Sequence, residues 1–80
     1  MIKTYEITLY SSAFKNFTTR DYQIIKDEGF NVDDYILFKE IETVGEETKE
    51  TGLHRMTQIK GITNDEGLKD GFVLLTLAKL

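Results

Sequence analysis

Apolar and polar positions alternate from the start of the chain. Residues 4–9 read TYEITL, with Tyr5, Ile7 and Leu9 on one side, the period-two pattern of a half-buried strand. The next segment, SSAFKNFTT, changes period. Ser11 or Ser12 offers a side-chain cap, and Ala13, Phe14 and Phe17 fall on one face of a short amphipathic helix. Residues 20–26, RDYQIIK, favour strand at Tyr22, Ile24 and Ile25 before a glycine turn in DEGF. Residues 32–42, VDDYILFKEIE, form the longest strand candidate. Apolar side chains occupy both parities there, as expected of a strand buried on both faces or of a bulge that switches faces.

The second half repeats the alternation of strands and turns. TVGEETKETG is read as a charged, mobile hairpin loop, and LHRMTQIKGI as the returning strand. TNDEGLKDG is turn-rich, with Asn64, Asp65, Glu66 and Asp70 as turn formers. The closing FVLLTLAKL is the most apolar stretch of the chain. It is expected to pair with early strands and seal the sheet edge, with Val73, Leu75 and Leu77 facing one layer and Phe72, Leu74 and Thr76 the other. Five closely spaced strands and one short helix predict a mainly β (α+β) fold, a small barrel or sandwich with the helix after the first strand.

Composition narrows the class. Eighty residues accommodate a single domain over 1–80. A chain of this size buries only about 60% of the surface its unfolded form exposes. There is no cysteine, hence neither a disulfide framework nor a cysteine zinc site, in keeping with a cytoplasmic setting. The start lacks a basic head followed by an apolar run, and the longest apolar run, residues 72–75, is far below the ~18 residues of a membrane helix. A soluble protein that does not contact membrane is expected. A net charge of −4 argues against indiscriminate nucleic-acid binding while leaving room for a local basic groove.

Two stretches carry a family resemblance: GFNVDDYILFKEIE, residues 29–42, and GLKDGFVLLTL, residues 67–77. Together with the early strand–helix step bearing Phe14, they resemble a group of small bacterial and phage domains of unassigned function in the ASCH (activating signal cointegrator homology) superfamily. That superfamily is similar to the PUA domains, β-barrels often used on RNA. Its middle strand typically reads phenylalanine, any residue, valine, glycine, aspartate, then an apolar run ending in arginine–glutamate. Phe30, Val32, Asp34, residues 36–38, Lys39 and Glu40 fit this pattern, with Asp33 in place of the glycine. The resemblance implies a five-stranded PUA/ASCH-like barrel and, as partner, RNA or a nucleotide-like ligand. After the helix the superfamily usually carries a glycine–lysine–lysine–threonine run followed by glutamate and arginine. This chain reads NFTTRDYQIIK there, with Tyr22 near the glutamate position and Ile24 near the arginine position.

The chemistry follows from what is present. Some members of the superfamily resemble hydrolases of modified nucleosides, chemistry that needs an acid and a base with tuned pKa values in one pocket. The departure after the helix removes the matching groups, so no catalytic residue is assigned. His54 is read as a solvated strand-end residue. The acids of NDE and Asp70 lack the calcium-loop spacing, and neither metal nor cofactor is assigned. Candidate nucleic-acid contacts are Arg20, Tyr22, Lys26 and Lys39 as a patch if their strands adjoin, with Arg55 and Lys69 at the rim. The expectation is a non-catalytic binding module. A protein partner, docked on Glu46, Glu47 and Glu50 or on an exposed strand edge, is the alternative, and a residual hydrolase the third reading.

Overall fold

The computed structural model describes residues 2–18, 20–64 and 67–80; Asp65 and Glu66 of the turn-rich connection lie outside them. The chain runs β1 (Thr4–Tyr10), α1 (Ser11–Thr18), β2 (Tyr22–Lys26), β3 (Tyr35–Val44), β4 (Glu47–Thr63) and β5 (Phe72–Lys79). All five strands join one sheet in the order β1-β3-β4-β5-β2. β1 pairs parallel with β3, and the remaining ladders are antiparallel. This is a mainly β domain with one short helix, as the alternation predicts.

One face of the sheet holds the core. Tyr5, Ile7 and Leu9 pack against a buried cluster of Ile36, Phe38, Ile59, Val73, Leu75, Leu77, Ile25 and Phe30. Helix α1 closes this face with Phe14 and Phe17, and the Phe17 ring lies 4.5 Å from that of Phe38. β5 is therefore continuously apolar but unequally buried. Val73, Leu75 and Leu77 are buried, whereas Phe72 and Leu74 are half-buried and Thr76 is exposed. β5 is also an inner strand between β4 and β2, so it does not seal an edge. The edges are β1 and β2, which form no ladder with one another, and the sheet is not closed into a barrel.

The charged segment 43–52 is strand on both sides of a tight turn. β3 and β4 pair through Val44 and Glu47 around a two-residue Gly45–Glu46 loop. Gly45 has φ +66°, the glycine-first geometry of a primed hairpin turn that matches strand twist. The register of this ladder shifts between Lys39 and Ile41, so that Glu40 faces the stretch from Thr51 to Leu53. Gly52 supplies φ +92° at that bulge, and the Thr51 hydroxyl donates to Glu40 Oε1 at 2.6 Å. The buried carboxylate thus has a local partner. The extra residues lie on β4, while β3 alternates from Tyr35 to Ile41 without switching faces and is half-buried on its outer side, so burial on both faces, and not a face-switching bulge, accounts for its mixed parity.

The turn before β3 is held by Asp34, only 1% exposed. Its carboxylate accepts the backbone N–H groups of Lys3 and Asn31, each at 3.0 Å. The Lys3 N–H, first among the causes, holds the Asp34 carboxyl below the usual carboxylate range, with the Asn31 N–H and the Lys3 and N-terminal charges adding to it against the opposing effect of burial. Asp33 beside it has φ +79°, a left-handed conformation that glycine adopts without strain.

Candidate functional site

The face of the sheet away from α1 carries the candidate contacts. On β2, Ile25 is buried, while Tyr22, Ile24 and Lys26 alternate onto the outer face. Their partners on β5 are Thr76, Leu74 and Phe72. At one end of this pair of strands the Arg20 guanidinium lies 5.5 Å from the Tyr22 ring centroid. At the other end the Lys69 ammonium lies 5.8 Å from the ring of Phe72, the residue opposite Lys26. Both are cation–aromatic contacts, which hold a charge over a ring while leaving it open to an anion.

The result is a row. Arg20 and Tyr22 stand at one end, Lys26, Phe72 and Lys69 at the other, and exposed Ile24 between them. Tyr22 and Lys26 are four residues apart on one strand, about 13 Å at strand rise. Among the described residues, none of Arg20, Lys26 and Lys69 is in an ion pair. Two flat apolar surfaces flanked by uncommitted cations suit a ligand that combines rings with negative charge.

The other two candidates lie elsewhere. Lys39 sits on β3, which β4 and β5 separate from β2 in the sheet. Its ammonium is 3.5 Å from Glu6 and 3.5 Å from Glu50, held between two carboxylates. Arg55 is exposed on β4 opposite Phe38. His54 is exposed, and its Nδ1 lies 3.3 Å from the Gly52 carbonyl. Phe72 is the aromatic member of the row that sequence reasoning left out. The signal for it was Lys69 three residues before an aromatic at a strand start.

A cleft of about 260 Å³ lies where β1 and β2 face one another, lined by Glu6, Ile7, Thr8, Ile25, Lys26 and Glu28. Two strands at opposite ends of the sheet order share this lining, so the sheet curls until its two edge strands flank one cleft. Nothing in local sequence announces the cleft, because its walls come from segments joined only through three other strands. Among the described residues no group of three or more His, Asp or Glu is placed to hold a metal ion. No helix among them is long and apolar enough to cross a membrane. No family model matches the chain, and no curated protein matches it.

Proposed function

We propose that this chain is a non-catalytic binding module whose ligand is RNA or a nucleotide-like molecule, held on the outer face of β2 and β5. The supporting observation is the row itself, in which Arg20 is stacked on Tyr22, Lys69 is stacked on Phe72, and Lys26 stands opposite Phe72. Stacking on the rings would hold bases, and the three cations would meet phosphates. The row is local and short, which reconciles a nucleic-acid ligand with an acidic chain.

The ASCH/PUA-like barrel belongs to the same proposal. The curled sheet with α1 after β1 agrees with such a barrel left open at the β1–β2 seam. Asp33 at φ +79° stands where the resembling family carries glycine, and Asp34 is the buried aspartate of that pattern. A cytoplasmic setting is part of the proposal. Tyr22 and Ile24, near the family's glutamate and arginine positions, project onto the open outer face, so the hydrolase reading receives no acid–base pair from them.

The test is a titration of isotope-labelled protein with short single-stranded and hairpin RNA, followed by NMR at low and high salt. Shifts should cluster on residues 20–26, Lys69 and Phe72 and fade as salt rises. An absence of shifts at high micromolar RNA would sink the proposal.

A further inference from the structure

We infer that the seam between β1 and β2 is a docking groove for an extended peptide segment of a partner protein, which enters as a sixth strand. The inference does not rest on the RNA reading, although the two surfaces share Lys26, which belongs to the row and also lines the seam.

Backbone direction carries the argument. The Lys3 carbonyl accepts the N–H of Tyr35, so alternate residues Tyr5, Ile7 and Leu9 turn their backbone groups to β3. Thr4, Glu6 and Thr8 turn theirs the other way, into the seam. On β2, Asp21 accepts from Leu77 and Asp27 donates to Gly71, so Gln23 and Ile25 turn to β5. Tyr22, Ile24 and Lys26 then present their N–H and C=O groups to the seam. Both walls of one cleft thus display unpaired strand edges. A single free edge invites pairing, and two that face one another define a slot for one strand.

The chain directions agree. β1 runs with β3, β3 against β4, β4 against β5 and β5 against β2, so β1 and β2 are antiparallel. An inserted strand would run parallel to one wall and antiparallel to the other, as mixed sheets allow. The cleft is smaller than the ~300–1,000 Å³ usual for small-molecule sites. What it offers is backbone rather than enclosure.

The lining sets the chemistry of the occupant. Ile7 and Ile25, on the core-facing parity of their strands, form an apolar floor, while Glu6, Glu28, Thr8 and Lys26 make the rim; Glu6 is already paired with Lys39, and among the described residues Glu28 is the rim acid outside any ion pair. An entering strand would point apolar side chains at the floor and polar or basic ones at the rim. A second copy of this chain does not fit the role. Its own β1 and β2 are each held on one side within a sheet and can offer only one edge, whereas a free segment pairs with both walls.

The test uses labelled full-length chain and a panel of capped six-residue peptides. Valine, isoleucine, leucine or phenylalanine alternate with lysine or arginine, and each peptide has a counterpart N-methylated at every second residue. Binding should shift the amides of Thr4, Glu6, Thr8, Tyr22, Ile24 and Lys26 together and slow their hydrogen exchange. N-methylation, which removes donors and keeps side chains, should weaken binding by about tenfold or more. Thr8→Pro should weaken it about tenfold while the β1–β3 ladder survives, because the lost N–H faces the seam. Shifts on one wall only, indifference to N-methylation, or no shift with any panel member at millimolar concentration would overturn the inference and leave edges merely guarded by charge. RNA titration of Thr8→Pro separates the two proposals, since Thr8 is no part of the cation–aromatic row.

Discussion

The carboxylate of Asp34 accepts the backbone N–H of Lys3 across 31 positions of sequence and that of Asn31 across three. Through its own carbonyl, Asp34 also accepts the N–H of Ile59. One residue therefore ties the start of β1, the turn before β3 and the middle of β4. Asp34→Ala leaves two inward-facing N–H groups without their acceptor. It should lower the melting temperature by more than ~5 °C, readable by circular dichroism.

The same residue gives a pH dependence with a definite sign. Its folded pKa lies below the ordinary carboxylate value, about 3.9. Its contribution to stability is then complete above that value and is lost as pH falls through the lower folded one. Thermal melts of the natural chain and of Asp34→Asn should differ most at neutral pH and converge as pH falls through the lowered folded pKa of Asp34. A gap that widens on acidification would contradict the assignment.

Asp33 pairs its N–H with the Ile59 carbonyl while holding φ +79°. Glycine adopts this conformation freely, aspartate tolerates it, and a β-branched residue does not. Asp33→Gly should be at least as stable as the natural chain, and Asp33→Val less stable by about 1–2 kcal/mol. Urea midpoints would decide, and equal stability of the glycine and valine variants would refute the backbone argument.

Phe17 is fully buried, 4.5 Å from Phe38 and 6.2 Å from Phe14 between ring centroids. It is the main anchor of an eight-residue helix, too short to persist without packing. Phe17→Ala should cost about 3–5 kcal/mol, a large share of the 5–15 kcal/mol typical of a domain. Chemical denaturation should report this loss.

The elements were legible where one physical signal dominated. Tyr5, Ile7 and Leu9 alternate without interruption, and Phe14 and Phe17 share one helical face, so β1 and α1 fall where the pattern puts them. In β3 the period was masked, because the outer face of Tyr35, Leu37 and Ile41 is itself apolar and half-buried. The 43–52 hairpin reads as a loop in the sequence because its charge outweighs its β-favouring residues. Val44, Thr43, Thr48 and Thr51 around Gly45 were the better guide, since a solvated two-stranded arm needs no buried face. Strand order was not legible. The ladders joining β1 to β3 and β5 to β2 are long-range, and they alone decide that Lys39 is parted from Lys26 while Lys69 joins it.

That partition supplies the last prediction. Lys26 and Lys69 are outside any ion pair among the described residues, whereas Lys39 is held 3.5 Å from both Glu6 and Glu50. A cation already neutralised by two carboxylates releases no counterion when a phosphate arrives, and moving it would strand both acids. With single-stranded RNA, Lys26→Ala and Lys69→Ala should each weaken binding and flatten the dependence of log K on log salt by about 0.7. Lys39→Ala should leave that slope unchanged. Arg20→Lys keeps the charge but loses the planar group that stacks on Tyr22, so it should lower affinity without altering the slope. Fluorescence anisotropy at four or five salt concentrations measures all of these. If Lys39→Ala flattened the slope as much as Lys26→Ala, the phosphate path would run over β3 instead of β2, and the row would not be the site.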